Sequence, residues 1–401
     1  MTAASLDELL ARVLAIDSCA GCGACTLIDA GLTMQQSADG FLRPVRTPGT
    51  AAPDGAARAF SRACPGLVVR AQRPATARRH ALLGPVVGAW SAFAVDPQFR
   101  HRGSSGGVLS ALAAFVASEG GRVIGAASDE REVRRTIPVH ITSREEALAA
   151  AGSRYAPVAV CAAGGLDTAD AVVTKPCEAT ALRALAHDAG AEPPLLLSFF
   201  CAGTPSQHAT HALLDTLGVT PDDDLADLWY RGRGWPGRFT ARLADDREVS
   251  ASYEESWGRA LGPAVQWRCK ICPDGVGESA DVSAGDFWQA DSRGYPVFTE
   301  ADGVSALIAR TVRGRELVER AVAAGVLVVT PVDPDETAAV QPLQTSRRGT
   351  LLGRVMGARL ARRSVPAMRG FGLWALALAR PRDAIRTARG TYRRVRAAGG
   401  R

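Results

Sequence analysis

Cys269 and Cys272 form a CxxC pair in the stretch from Trp267 to Trp288, which also contains Asp281 and Asp286. In a chain without secretory features, such a pair is typical of metal binding or redox chemistry rather than of a structural disulfide. Two thiolates are only half of a four-ligand site. The other ligands must therefore come from elsewhere among the nine cysteines of the chain.

A self-sufficient set of cysteines lies near the N-terminus. Cys19, Cys22 and Cys25 have CxxCxxC spacing, and a distant Cys64 precedes a proline. This pattern is typical of a ferredoxin-type [4Fe-4S] site, in which a tight loop wraps one face of the cluster and a remote cysteine closes it. A structural zinc site is the alternative, although zinc sites usually combine two separated CxxC pairs.

Two further cysteines, Cys177 and Cys201, each follow a predicted strand. Open α/β sheets bind their ligands beyond the carboxyl ends of strands, so these positions favour a functional role. A second four-thiolate site, for a cluster or for zinc, would consist of Cys177, Cys201, Cys269 and Cys272. Cys161 is left over and is interpreted as a small buried apolar residue.

Two glycine-containing loops could bind a cofactor. Residues Gly103, Ser104, Ser105, Gly106 and Gly107 (GSSGG) lie between a predicted strand and a helix beginning near Val108. A strand, a Gly-rich turn and a helix N-terminus together make a phosphate cradle, but this turn matches neither GxGxxG nor a Walker loop, and a plain tight connection is the alternative. In the second loop, Gly152 suits a helix C-cap, and the polar residues after it suit a ligand-facing segment. They are Ser153, Arg154 and Tyr155.

The overall pattern predicts an α/β protein, because 47% of residues are hydrophobic, 22% are charged and the apolar runs are short. We expect strands at 90–95, 122–126, 171–174, 195–200, 305–310 and 326–329, and helices at 1–18, 143–151, 178–186 and 316–324. The apolar run 195–200 is predicted to be a buried parallel strand, and 44–79 to be a loop. The N-terminal helix is amphipathic rather than a signal peptide, and no run approaches the roughly 20 apolar residues of a spanning helix, so we expect a cytoplasmic protein.

The net charge of +6 hides an asymmetry. From Arg347 onward there are fifteen arginines and a single acid, Asp383, so the body of the chain is acidic. The high pI is therefore no argument for nucleic-acid binding by the fold. The short apolar run FGLWALALA among arginines favours an amphipathic segment on an anionic membrane surface, at the inner face of the membrane. A helix packed on the acidic body, docking to an acidic partner and a solvated basic tail are the alternatives.

Taken together, the ordered motifs CAGCGAC, RGSSGGVLSAL, AGSRYAP, TKPCEATALRAL, FFCAGTPS and CKICPDGVGESADVSAGDFW resemble the coenzyme F420 hydrogenase/dehydrogenase beta subunit family over roughly residues 19 to 330. The resemblance implies an FAD- and iron-sulfur-dependent oxidoreductase with two [4Fe-4S] clusters. It implies that the GSSGG turn and Ser153, Arg154 and Tyr155 contact the flavin. The second cysteine set would hold an inner cluster, with Asp281 and Asp286 near it.

Lys175 departs from the family pattern, because many members have a small residue before the Pro-Cys pair. A cation here would bind an anionic substrate or tune the flavin and cluster potentials, whereas a solvated turn lysine is the alternative. We therefore expect Lys175 and Asp286 to act in catalysis, and Asp281 to contribute to cofactor binding.

The expected fold is an α/β (α+β) flavin-binding core with an N-terminal ferredoxin-like iron-sulfur segment and a basic helical C-terminal tail. The expected domains are 1–80, 81–170, 171–341 and 342–401. FAD exchanges one or two electrons and so can connect a one-electron carrier, such as a ferredoxin, or the deazaflavin F420 with an organic acceptor. The alternatives are an F420-oxidising input subunit of a larger complex and a non-catalytic metal-binding scaffold that docks partners through its tail.

Overall fold

The computed structural model describes residues 4–287 and 300–398, so Trp288 lies outside the described residues. The helices are α1 Leu6–Ala15, α2 Ala56–Ala63, α3 Pro97–Arg102, α4 Val108–Ser118, α5 Arg144–Ala149, α6 Pro176–Asp188, α7 Gln207–Thr216, α8 Trp267–Lys270, α9 Val312–Ala323, α10 Pro334–Ala339, α11 Pro342–Gly349, α12 Leu351–Leu360, α13 Leu373–Ala379 and α14 Pro381–Ala397. Further helical turns span Ala24–Leu27, Val160–Ala163, Glu254–Leu261 and Gly262–Ala264.

The strands are β1 Leu32–Gln36, β2 Leu42–Arg46, β3 Val68–Arg70, β4 Arg78–His80, β5 Gly84–Val86, β6 Gly88–Ala94, β7 Val123–Ser128, β8 Thr136–Ile141, β9 Ala171–Thr174, β10 Leu195–Phe199, β11 Leu225–Trp229, β12 Phe239–Leu243, β13 Glu248–Ala251, β14 Val282–Asp286, β15 Ser305–Ala309, β16 Leu327–Pro331 and β17 Ala367–Arg369. All six predicted strands are confirmed, as are the four helices with predicted bounds and the helix beginning at Val108, with ends that differ by a few residues. The fold is mixed α/β, as predicted.

Eight strands form the central sheet, in the order β16-β6-β15-β14-β10-β9-β7-β8. β14, β10, β9 and β7 are parallel to one another, and the outer pairings are antiparallel. The prediction of a buried parallel strand at β10 is therefore confirmed. The sheet contains strands that precede residue 170 in the sequence and strands that follow it, so the predicted domains 81–170 and 171–341 share one sheet. The domain boundaries themselves stay predictions.

Helices cover both faces of this sheet because neighbouring residues of a strand point to opposite sides. Ala171 and Leu197 pack with α4 and α9 on one face. Val172 and Leu196 pack with α6 on the other face, together with Ala24 and residues around the N-terminal cysteines. The N-terminal segment is thus held against the core through the α6 face.

The prediction that 44–79 is a loop is wrong, because this segment contains α2 and β3 as well as strand ends. The helix was missed because its buried face is formed by Phe60 between Ala56 and Ala63, a weak apolar period. Cys64 is the C-cap of α2, and its N–H donates to the carbonyl oxygen of Phe60. A regular helix, and not a flexible loop, therefore positions Cys64.

The C-terminal tail packs on the body through α11 and the segment that follows α12, whereas the alternatives predicted for the run FGLWALALA stay predictions. Arg348 pairs with the buried Glu278, and Arg363 donates to Asp17 at 3.1 Å. α14 then packs on α12, where a Cβ added at Gly353 would lie 2.3 Å from the carbonyl oxygen of Ala384. None of the described helices combines the length and apolarity needed to cross a bilayer.

Candidate functional site

Most of the predicted ligand-binding residues line one cavity of about 280 Å³ at the carboxyl edge of the parallel strands. The predicted residues that line it are Gly103, Ser104, Ser105, Gly107, Gly152, Ser153, Arg154, Tyr155, Lys175 and Asp286. Cys201 lines it as well. Residues from loops that are far apart in the sequence thus meet where open sheets bind ligands.

The GSSGG turn brings the N-terminus of α4 to the cavity. Gly107 is the N-cap in the left-handed region (φ 71°), and no side chain caps the helix, so its first amides are available to an anionic ligand. A Cβ at Gly107 would lie 2.2 Å from the carbonyl oxygen of Phe99, so only glycine fits here. Gly106 does not line the cavity; its N–H donates to Ser305 Oγ at 3.0 Å and closes the turn.

The two predicted loops are joined directly. Ser153 donates its backbone N–H to Ser104 Oγ at 2.6 Å. The Arg154 guanidinium is fixed by Thr136 Oγ1 and by the carbonyl oxygen of Leu228, both at 2.8 Å. Tyr155 forms the start of an aromatic wall, since its ring lies 4.7 Å from that of Trp257. Burial raises the pKa of the Tyr155 hydroxyl, which therefore stays protonated at neutral pH.

Sequence reasoning missed several cavity residues, of which Arg231 is the most informative. Arg231 is buried, and its Nη1 donates to Asp286 Oδ2 at 2.8 Å. Burial lowers the pKa of Arg231, but Asp286 and nearby tyrosines outweigh this effect, and the net shift is upward. Trp257 and Tyr253 were also missed. In the sequence, Trp235-Pro236-Gly237 and Ser256-Trp257-Gly258 place aromatic residues next to glycine, but no spacing connects them to the cysteines.

Lys175 is buried in the cavity wall, so the alternative of a solvated turn lysine is wrong. Its Nζ donates to Glu178 Oε1 and, at 2.6 Å, to the carbonyl oxygen of Val158. Burial lowers the pKa of Lys175, but Glu178 outweighs it and the net shift is upward. The sequence therefore placed Lys175 at the site but missed its carboxylate partner, which is one turn further along α6.

Asp281 lies away from the cavity, at the opposite end of β14 from Asp286. Its carboxylate accepts from Arg313 at 2.7 Å, from Thr311 Oγ1 at 2.7 Å and from the N–H of Leu196 at 2.9 Å. Arg183 donates to it as well. The structure thus assigns Asp281 to joining β10, β14 and α9, which corrects the expectation of a cofactor-binding role.

The first cysteine set lines a small cavity of about 30 Å³ between α1, α2 and the loop that begins at Cys19. All four cysteines face it. Burial, reinforced by the neighbouring sulfurs, raises the pKa of Cys25 and of Cys64 to about 12. Such thiols become thiolates only when a cation binds them, as iron does in a cluster. The four cysteines of the first set therefore meet at one cavity.

The second set comes together from three loops. Cys177 begins α6, Cys201 follows β10, and Cys269 and Cys272 lie in and just after α8. Burial and the sulfurs of Cys269 and Cys272 raise the pKa of Cys201 to about 12. The N–H of Thr204 donates to Cys269 Sγ at 3.4 Å, a contact that favours a thiolate.

The two sets are neighbours. Burial raises the pKa of Cys177, and Cys22 of the first set is close enough to add to this effect. Within residues 4–287 and 300–398, no three His, Cys, Asp or Glu side chains converge as closely as a single metal ion requires. A [4Fe-4S] cube holds its four thiolates at separate corners, whereas a zinc ion needs its ligands around one point.

Comparison with known proteins agrees with these motifs. Residues 89–163 match the N-terminal region and residues 168–335 the C-terminal region of the coenzyme F420 hydrogenase/dehydrogenase beta subunit family. The coenzyme F420 hydrogenase subunit beta of Methanococcus voltae is 26% identical over 255 residues, which are 61% of this chain and 84% of the relative. That of Methanothermobacter thermautotrophicus is 27% identical over 260 residues, with the same shares covered.

Among solved structures, a chain of the F420-reducing [NiFe] hydrogenase complex from Methanosarcina barkeri has a similar fold. The TM-score is 0.54 at 21% identity, and the match covers 71% of this chain and 96% of that one. The matched family regions end at residue 335, before α11 and the basic tail. On the two matched regions together, this chain belongs to the coenzyme F420 hydrogenase/dehydrogenase beta subunit family of oxidoreductase subunits.

Proposed function

We propose that this chain is a flavin- and iron-sulfur-dependent oxidoreductase, with FAD in the 280 Å³ cavity and one [4Fe-4S] cluster on each cysteine set. The observation that carries the proposal is that Cys201 lines the same cavity as the GSSGG turn and Tyr155. A ligand in the cavity would therefore lie against the second cysteine set. That set in turn adjoins the first one through Cys177 and Cys22.

The residues present fit a flavin. The uncapped N-terminus of α4 offers amides to a phosphate, and Gly107 permits the close packing on α3 that holds this turn in place. Tyr155 and Trp257 offer an apolar wall for an aromatic ring. The cavity volume of about 280 Å³ is slightly below the roughly 300–1,000 Å³ typical of small-molecule sites.

Bound FAD would supply the exchange between single electrons and hydride pairs. The residues of the chain would bind and orient it. In our proposal, Arg231 and Asp286 form a fixed charge pair at the carboxyl end of β14, where they orient the substrate against the flavin. Lys175 and Glu178, which are buried in the cavity wall and flank Cys177 in the sequence, provide a cation whose position is set by α6.

The electron donor in this proposal is a ferredoxin-like carrier or reduced F420, and the acceptor is an organic molecule. A second candidate is an F420-oxidising input subunit of a larger complex. It is favoured by the relatives, since two are named coenzyme F420 hydrogenase subunits and the similar fold is a chain of a hydrogenase complex.

Anaerobic purification with iron, sulfide and flavin analysis tests the proposal. Because each cluster needs four thiolates and holds four irons, we expect about eight irons and one FAD per chain. Stoichiometric zinc without flavin would instead support the non-catalytic scaffold. Anaerobic titration of the bound flavin with reduced F420 and, separately, with reduced ferredoxin then distinguishes the donors by which of them bleaches the flavin absorbance.

A further inference from the structure

The outer surface of α13 and α14 is basic and apolar at once. On α14, exposed arginines recur every three or four residues and so lie along one side of the helix. They are Arg382, Arg386, Arg389, Arg393 and Arg396. The one acid of this helix, Asp383, is already paired with Arg386 at 2.6 Å. The surface therefore carries a strong net positive charge.

Large apolar side chains project from the same two helices. Trp374 is 67% exposed and Leu378 is 75% exposed, and their spacing of four places them on one side of α13. Ile385, 54% exposed, lies between the arginines of α14. A monomeric protein in water gains nothing by exposing a tryptophan and a leucine together, so this surface is suited to a partner with an apolar phase.

The surface belongs to the folded body. The opposite side of α14 buries Thr391 and Val395, and α12 meets it closely at Gly353 and Gly357. Before α13, Phe371 is buried beside the guanidinium of Arg348, which is itself paired with Glu278. The arginines and Trp374 are thus presented in a defined arrangement relative to the cavity.

We propose that this surface docks the protein on an anionic membrane, with α13 and α14 lying in the plane of the lipid headgroups. The arginines match the lipid phosphates, and Trp374 and Leu378 match the boundary between headgroups and acyl chains. A nucleic acid would match the charge but offer no hydrocarbon to Leu378, and an acidic protein would need an apolar patch beside its carboxylates, whereas an anionic membrane offers both over its whole surface. This inference is independent of the cofactors, since all of its residues follow the family-matched regions.

Flotation of the anaerobically purified full-length protein with vesicles tests the proposal. We expect binding to vesicles rich in phosphatidylglycerol, weakened by high salt, and no binding to pure phosphatidylcholine. One arginine near an anionic surface is worth about fivefold in binding, so replacing four should reduce the vesicle partition coefficient several hundred-fold. The variant carries Arg382→Gln, Arg386→Gln, Arg389→Gln and Arg393→Gln.

A matched control removes the same charge from exposed arginines of the body, Arg58→Gln, Arg131→Gln, Arg238→Gln and Arg315→Gln. It should bind vesicles nearly as well as the unmodified protein. Lipids brominated in the acyl chain should quench tryptophan fluorescence in the unmodified protein and much less in Trp374→Phe. The proposal is overturned by absent binding at low salt, by an equal loss in both charge variants, or by binding to RNA or an acidic polypeptide without binding to vesicles.

Discussion

Arg268 donates two hydrogen bonds, each of 3.1 Å, to the main-chain carbonyl oxygen of Pro65. Pro65 follows the last cysteine of the first set, and Arg268 precedes Cys269 of the second. The guanidinium is buried. Burial lowers its pKa, but the sulfurs of Cys272 and Cys177 outweigh this effect, and the net shift is upward. One buried cation therefore joins the loops that hold the two cysteine sets.

Replacing this arginine should disturb both sets at once. Arg268→Met leaves the carbonyl of Pro65 without its donors, so we expect a loss of about 3 kcal/mol in the free energy of unfolding and a lower iron content. Arg268→Lys keeps the charge but not the forked geometry and should be intermediate. Anaerobic denaturation and iron analysis measure both effects; an iron content and stability equal to those of the unmodified protein would contradict the assignment.

Cys161 provides the control for the two cysteine sets. It is fully buried in the core and belongs to neither set, so Cys161→Ala should retain all of the iron. Cys64→Ser and Cys269→Ser should each lose about half of it, because each removes one of four ligands from one cluster. Iron and sulfide analysis of the three variants, purified in parallel, shows which cysteines the clusters need. Equal iron in all three would end the assignment of eight ligands.

Replacing one member of the Lys175–Glu178 pair should lower the free energy of unfolding more than replacing both members. Glu178→Gln leaves a buried ammonium without its anion, and we expect a loss of about 3 kcal/mol in the free energy of unfolding. Adding Lys175→Met to that variant should recover most of the loss, because no charge then stays buried. A double-mutant cycle by anaerobic denaturation measures the coupling. Additive losses would show that the two side chains do not interact.

The Arg231–Asp286 pair should matter to turnover more than to flavin content. Asp286→Asn removes a charge-assisted hydrogen bond at the cavity, so we expect turnover to fall roughly 10- to 100-fold with FAD retained. Asp227→Asn is the matched control, because Asp227 pairs with Arg233 and does not line the cavity. Steady-state rates with flavin absorbance test this. A similar fall in the control would argue for a general structural effect.

Asp281 should make stability depend on pH in the acidic range. Burial raises the pKa of this carboxyl, but Arg183 and Arg313 outweigh it and the net shift is downward. A lowered pKa means that its stabilising contribution is present above the unfolded value of about 3.9 and is lost as pH falls through the folded value. At neutral pH, the free energy of unfolding of Asp281→Asn should be about 3 kcal/mol lower than that of the unmodified protein. As the pH is lowered, the free energy of unfolding should fall less in Asp281→Asn than in the unmodified protein. Parallel pH profiles would contradict this.

Local patterns predicted much of this protein because each depends on a few consecutive residues. The CxxCxxC loop and the helix after the GSSGG turn are of this kind, and so is β10. α2 was missed since Phe60 is the single large residue on its buried face. Arg231 was missed because its partner, Asp286, is 55 residues away and no spacing rule connects a buried arginine to a distant carboxylate.

The sequence by itself determined which thiols, hydroxyls and amides are available, and which turns present them, since these follow from residue type and short-range spacing. Only the tertiary structure decided which of them meet. Asp281 and Asp286 have equivalent positions in the motif, yet β14 extends roughly 3.3 Å per residue and carries them to opposite ends of the strand. Asp286 thereby reaches the cavity, whereas Asp281 is buried among the arginines that join β14 to α6 and α9.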